Sequence, residues 1–281
     1  MIIAKNDEDK LGPSLQKLQE EDKTFHVSRN QETKQLLISG LGNVQLEAMM
    51  SKLKRDYGVN THTVPMIIPY RETIRGTSDV QGRHKKQSGG AGQFGDVWIR
   101  FEPIDEGFEF AEEVFGGSVP KNYFPAVEKG LVESLDKGPL AGYPVTGIKA
   151  VLHDGSYHPV DSNEMAFKIA ASLAFKKGVE QAKPVLLEPV MSIKVVIPDS
   201  YLGDVMGDMN KRRGRILGME QDGEGNQVVS AEAPYAEMTQ YAIDLRSMTQ
   251  GRGKFNMEFV RYEDVPQMIA DKIIEERKDE E

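Results

Sequence analysis

The 281-residue sequence contains no cysteine. Disulfide bridges, iron–sulfur clusters and cysteine-ligated zinc are therefore excluded, and a reducing compartment fits. No apolar run is long enough to cross a bilayer. The opening residues, Met1-Ile2-Ile3-Ala4-Lys5-Asn6-Asp7-Glu8, lack the apolar core of a signal peptide. A cytoplasmic location with no membrane partner is expected. Neither Gly-x-x-x-x-Gly-Lys-Ser/Thr nor Asn-Lys-x-Asp occurs, so the chain is not expected to bind or hydrolyse GTP or ATP through a known loop.

What is present is the composition of a globular protein, 28% charged and 39% hydrophobic, with a net charge of −9. The negative excess is uneven. Residues 1–68 are neutral overall, while the tail from 265 to 281 carries a third of the excess. Non-specific coating of nucleic acid is disfavoured, but local basic patches remain open to a shaped docking onto RNA.

Hydrophobic periodicity divides the chain into an α+β array. Residues 1–68 read as βαββαβ: strand 2–4, helix 7–21 with Leu11, Leu15 and Leu18 on one side, strands 25–28 and 36–39 around the turn Asn30-Gln31-Glu32-Thr33, helix 43–57 closed by Gly58, and strand 59–64. This is the ferredoxin-like plan. Its very short first strand makes the chain look as though it begins inside a larger protein. Residues 69–186 give strands 71–77, 96–103 and 108–115, a helix over 120–137, a strand over 146–152 and a second helix after residue 161. Residues 187–264 repeat βαββαβ: strand 190–197, a helix from 198 to about 213 with Gly214 at its end, strands 215–220 and 227–233 around Asp222-Gly223-Glu224-Gly225-Asn226, helix 238–249 and strand 254–262. Residues 265–281 form a last amphipathic helix with Val265, Ile269 and Ile273 on one side, and a frayed tail.

Residues 153–167 form the most informative stretch. Asp154-Gly155-Ser156 is turn chemistry, and Asp161 with Glu164 three residues on resembles a capping box. The following helix is polar mainly at Glu164, Lys168, Ser172 and Lys176, which predicts that most of its surface is buried. A stiff helix would then carry a polar loop with His158 at its tip. His153, Asp154, His158 and Asp161 could also hold a metal or act as an acid–base pair, but the i, i+5 spacing fits neither well. A solvated surface loop is the plainer reading. A recognition loop is favoured, because Ser156, Tyr157 and His158 can stack and hydrogen-bond.

Two further stretches carry charge. Arg83-His84-Lys85-Lys86-Gln87 precedes the glycine-rich run from Ser88 to Gly95. No helix follows, so it is neither a phosphate loop nor a dinucleotide fingerprint. It is either a flexible loop with a solvated charge cluster or a basic, glycine-hinged loop laid against RNA backbone. Asn210-Lys211-Arg212-Arg213-Gly214-Arg215 ends a helix, where cations complement the dipole. With Arg246, Arg252 and Lys254 it could form an edge facing phosphates.

These residues resemble the C-terminal portion of bacterial elongation factor G over essentially the whole chain. The resemblance rests on the 15–22 segment, Tyr70-Arg71-Glu72-Thr73-Ile74, the 88–95 run, residues 154–167, Leu187-Glu188-Pro189-Val190-Met191, the 203–210 segment, Arg212-Arg213-Gly214 and the 245–253 segment. It implies domains III, IV and V of a five-domain GTPase, the middle one like domain 2 of ribosomal protein S5. GTP and Mg would then belong to a missing N-terminal G domain. The implied partners are the ribosome, through ribosomal RNA and the tRNA–mRNA pair in the A site, and the parent's own G domain and domain II; a monomer is expected. The implied tip contacts are Lys85, Lys86, Gln87, Ser88, Gly89, Gly90, Gln93, Ser156, Tyr157 and His158, with His158 at the position that becomes diphthamide in archaeal and eukaryotic relatives. Lys211, Arg212, Arg213 and Arg215 would face the large subunit. Two departures point to a paralogue active in translocation, recycling or a slower regulatory role. Ala91 stands where the family has Arg, and Gly40-Leu41-Gly42-Asn43-Val44-Gln45-Leu46-Glu47 stands where it has Gly-Met-Gly-Glu-Leu-His-Leu-Glu.

Overall fold

The structure is a computed structural model that describes residues 2–4, 8–30, 33–64, 66–87 and 92–279. Its chain contacts divide into two units, one made of 1–69 with 189–261 and the other of 70–188 with 262–281.

The opening segment of the first unit follows the expected order: β1 (Ile2–Ala4), α1 (Glu8–Glu21), β2 (His26–Arg29), β3 (Leu36–Ser39), α2 (Asn43–Tyr57) and β4 (Thr61–Thr63). β1 pairs antiparallel with β4, and β2 with β3. Leu11, Leu15 and Leu18 of α1 are buried with Leu53 of α2, Phe25 and Val59. Gly58 closes α2 in the left-handed region at φ 69°, as its lack of a Cβ allows. The turn at 30–33 includes Gln31 and Glu32, which lie outside the described residues.

The second unit contains β5 (Arg71–Ile74), β6 (Ser78–Lys86), β7 (Gln93–Pro103), β8 (Phe108–Glu112), α3 (Phe124–Ser134), β9 (Ile148–Ser156) and α4 (Glu164–Gln181). Its sheet runs β6-β7-β9-β8, antiparallel except for the parallel β8–β9 pair. α3 and α4 cover one face and bury Val80, Val97, Ile99, Phe101, Leu131, Phe167 and Phe175. Five sequence expectations need correction. Arg83 to Lys86 is not loop but the end of β6, in register with Asp96 to Gln93. Asp154-Gly155-Ser156 is not a turn but the end of β9, opposite Trp98, Val97 and Asp96. α4 is capped by the Asn163 side chain, which accepts from the Ala166 amide, and not by Asp161 with Glu164. Its buried residues come in adjacent pairs, such as Ala166 with Phe167 and Ala170 with Ala171, so one face is covered while Met165 and Leu173 stay exposed. The helix expected over 120–137 opens as a 3-10 turn, Lys121–Tyr123, and α3 stops at Ser134.

Glu72, within the segment 70–74, has a role inside the fold and not at a surface. Its carboxylate is fully buried and accepts the backbone N–H groups of Leu140, Ala141 and Tyr143 at 2.8–3.0 Å. Burial pushes its pKa up, and these donors pull it back. A side chain at Gly138 would collide with the carboxylate.

β10 (Pro184–Pro198) is longer than expected. Its residues Pro184 to Leu187 pair with β5 in the second unit, and Val190 to Pro198 pair with β12 in the first. α5 (Leu202–Lys211), β11 (Arg215–Gln221), β12 (Asn226–Pro234), α6 (Tyr235–Met238), α7 (Tyr241–Met248) and β13 (Lys254–Asp264) follow, in the strand order β11-β12-β10-β13. That order, with β12 antiparallel to both β10 and β11, is the expected split-βαβ plan. α5 ends earlier than expected, and the left-handed residue is Arg213 at φ 58°, not Gly214. The Arg213 amide donates to Asn210 O and the Gly214 amide to Met209 O, a Schellman pair. Gly214 is required because a Cβ there would strike Met209. The last helix, α8 (Gln267–Asp279), belongs to the second unit, where Val265 and Ala270 are buried with Leu186 against Tyr70, Leu140 and Tyr143.

Candidate nucleic-acid interface

β6 and β7 form a long hairpin, and the loop 157–163 between β9 and α4 lies against its far end. The amide of Phe94 donates to Asp161 O at 2.9 Å. Ser162 is the hub of this junction. Its hydroxyl donates to Phe94 O at 2.9 Å and accepts the His158 amide at 2.8 Å, while its carbonyl accepts from the Tyr123 hydroxyl at 3.1 Å. The Tyr123 ring stacks on Phe167 of α4 at 4.5 Å, so the loop is tied to the core through an aromatic pair. Two glycines let the hairpin come this close. A Cβ on Gly92 would lie 2.6 Å from the Asp161 carboxyl carbon, and one on Gly95 would lie 2.4 Å from Ala166 O.

On this base the imidazole of His158 is half exposed, with 51% of its side-chain surface open. Its Nδ1 is turned inward, 3.1 Å from the Asp161 amide and 3.3 Å from the Val160 amide. Its ring tilts against Phe94 with centroids 6.4 Å apart, and the Arg83 guanidinium sits over the same Phe94 ring at 5.4 Å. Tyr157 is exposed beside it. Lys85, Lys86 and Gln87 are exposed along the hairpin end. Gln93 is held by His84 at 2.9 Å. Ser156 does not face outward; its hydroxyl donates to the buried Asp96 at 2.6 Å and so braces the sheet. Ser88, Gly89, Gly90 and Ala91 lie outside the described residues.

Sequence reasoning included Phe94, Ser162 and Arg83 in its candidate stretches but gave none of the three a role of its own in this site. Phe94 and Ser162 carry no charge, and nothing in their stretches marks them out from their neighbours. Arg83 was assigned to a loop, where no argument placed it over an aromatic ring. The alternative metal set does not assemble. His153 bonds Asp79 at 2.8 Å across the sheet, and among the described residues no group of three or more His, Cys, Asp or Glu could hold a metal ion.

The second basic cluster is largely engaged within its own fold. Arg212 bonds Asp208 at 2.7 Å, Glu237 O at 2.6 Å and Asp244, and lies over the Tyr241 ring at 5.1 Å. Arg213 reaches Glu237 at 3.1 Å and Arg215 reaches Glu232 at 2.7 Å. Arg246 donates to Leu41 O, and Arg252 donates to the Tyr201 hydroxyl. Lys211 and Lys254 are exposed.

Comparison with known proteins covers nearly the whole chain. Three family models match in order: "Elongation Factor G, domain III" over residues 2–65, "Elongation factor G, domain IV" over 66–183 and "Elongation factor G C-terminus" over 185–273. The chain is also similar to a crystal structure of a protein from Thermus thermophilus, with 46% identity and a TM-score of 0.87. That match covers 100% of this chain and 43% of the other, so this chain spans less than half of its relative's length.

Proposed function

Because the chain belongs to the elongation factor G family of translation factors and carries its domain III, domain IV and C-terminal regions, we propose that it is the ribosome-contacting part of a longer translational GTPase that moves tRNA and mRNA. In this reading the longer protein supplies a G domain, which binds GTP and Mg, and a domain II. The present chain transmits the resulting motion. The tip formed by 157–163 and the β6–β7 hairpin contacts the tRNA–mRNA pair in the A site. Lys211, Arg213, Arg215 and Lys254 line an edge that faces large-subunit RNA, while Arg212 fixes that edge internally.

The observation that carries the reading is the rigid mounting of His158. Its loop is bonded to β7 through Asp161 and Ser162 and to the core through Tyr123. A pawl needs a stiff tip, and this loop has one. Removing the imidazole should cost about 1–3 kcal/mol, the scale of one aromatic contact to a nucleotide. His158→Ala in the full-length factor is expected to slow single-round translocation roughly tenfold. An unchanged rate would remove the tip-contact role.

A second reading, a recycling or ribosome-protection factor, is favoured by the departure at Gln45. Its side-chain oxygen accepts the Leu41 amide and its nitrogen donates to Asp22 and Thr24, all at 2.6 Å. Gln45 thus ties 41–45 to the end of α1, at a place where the family has His. Full translocation by this factor alone in reconstituted synthesis would count against this reading.

A further inference from the structure

The contacts of His158 determine which ring nitrogen can meet a partner. Two backbone N–H groups, from Val160 and Asp161, point at Nδ1. A proton on Nδ1 would oppose both of them. The Asp161 carboxylate also lies 3.3 Å from Nδ1 and favours a proton there. That carboxylate is one partner at 3.3 Å, whereas protonating Nδ1 would lose two hydrogen bonds from backbone N–H groups and set those donors against the ring N–H. In the neutral ring Nδ1 is therefore the acceptor, and the proton sits on Nε2, on the opposite side of the ring. Beside it the Arg83 guanidinium has one face on Phe94, which leaves its N–H edges as the polar surface. Lys85 and Lys86 extend the same end of the hairpin and can only donate.

We infer that His158 is held as the Nε2–H tautomer and works as an outward donor, so that the tip, with Arg83 on Phe94, recognises acceptor oxygens of an RNA backbone, the phosphates and 2′-hydroxyls. A tip of this kind tolerates any base sequence, because donors aimed at backbone oxygens do not read base edges. The inference rests on the proposed ribosomal role for its ligand, but its tautomer half does not.

The tautomer is tested on the 281-residue chain itself. Long-range 1H–15N correlation spectra at mildly alkaline pH, where a neutral ring is the ordinary form, are assigned by the signal lost in His158→Gln. A proton-free Nδ1 and a protonated Nε2 are expected; the reverse pattern overturns the inference. The donor role is tested in the full-length factor. Gln places its amide N–H near the position of Nε2, whereas Asn places it near Nδ1. His158→Gln is expected to stay within about threefold of wild type in single-round translocation, the scale of one retained neutral hydrogen bond. His158→Asn should fall as far as His158→Ala. If Ala is slow and Gln and Asn are equally slow, the donor assignment fails while the contact reading stands. If Ala itself matches wild type, the contact reading fails. Arg83→Ala is expected to slow translocation as well, and an unchanged rate removes Arg83 from the proposal.

Discussion

At Glu232, on β12, two guanidinium groups converge on one carboxylate. Arg261 reaches both of its oxygens, at 3.0 and 2.7 Å, and Arg215 reaches one at 2.7 Å. The bond from Arg261, seconded by that from Arg215, holds the Glu232 carboxyl down from 4.5 to about 2. A folded-state pKa below the unfolded one gives stability that is present above the unfolded value and lost as pH falls through the folded one. Glu232 therefore supports the fold fully above pH 4.5, and its support fades between there and about pH 2. Arg215 is 68% exposed, so solvent screening holds the contribution to about 1–2 kcal/mol. Glu232→Gln is expected to lower the urea midpoint at pH 7 and to converge on wild type only as the pH is brought down to about 2. A constant difference across that range would refute the assignment. At this scale the sequence was legible for residues whose role is local. Gly58 was read correctly as the end of α2, because a left-handed cap is a backbone property. Asn163 and Arg213 were not, because the position of each is decided by where its helix packs. Asp161 was the better capping candidate on pattern, but its amide is turned to His158 and its carbonyl to Phe94.

Among the elements, α4 shows how packing overrode local preference. It lies against β6 and β7 at a distance only glycine permits. A Cβ on Gly82 would be 2.1 Å from Ala170 O, and one on Gly178 would be 2.3 Å from the Phe101 ring. Gly82→Ala is expected to destabilise the fold by about 1–3 kcal/mol, the usual cost of overpacking. An unchanged thermal midpoint would mean that α4 does not approach β6 as described. The same closeness explains the missed strand β6 and the missed end of β9. β6 is rich in polar residues and contains Gly82, so it lacks the β-branched signature of a strand. It is a strand because β7 supplies its ladder along its whole length. Asp154-Gly155-Ser156 has turn composition, yet Gly155 is needed where Asp96 O would meet a Cβ at 2.3 Å. The residues with turn composition are the ones that let β9 come this close to β7. The loop carrying His158 is shorter and better anchored as a result, which is what a contact tip requires.

For the molecule as a whole, the order of segments is not the order of units. The chain leaves the first unit near Pro69, returns near Pro189 and leaves again at Tyr262. Composition and periodicity located three α+β segments and a final helix, but they could not assign that helix to a partner, since its apolar side fits any exposed core. In the structure α8 completes the second unit. It covers Leu186, Tyr70, Leu140 and Tyr143 with Val265, Ala270, Ile269, Ile273 and Ile274, and the Arg75–Asp264 ion pair holds the strand end from which it starts. Truncation after Asp264 keeps that pair and removes only the helix. Val265 and Ala270 then leave the core outright and the three isoleucines leave it in part. At about 1.5–3 kcal/mol per fully buried aliphatic side chain, less the ordering entropy that the deleted helix no longer needs, the loss is about 2–4 kcal/mol. The chain's single tryptophan, Trp98, lies on β7 within this unit and provides a reporter placed where the effect should be. The truncated protein is expected to show an earlier urea transition by Trp98 fluorescence. A Trp98 transition that does not move would place α8 outside the stability of this unit. If it does move, the helix that ends the chain contributes to the stiffness of the domain that carries His158.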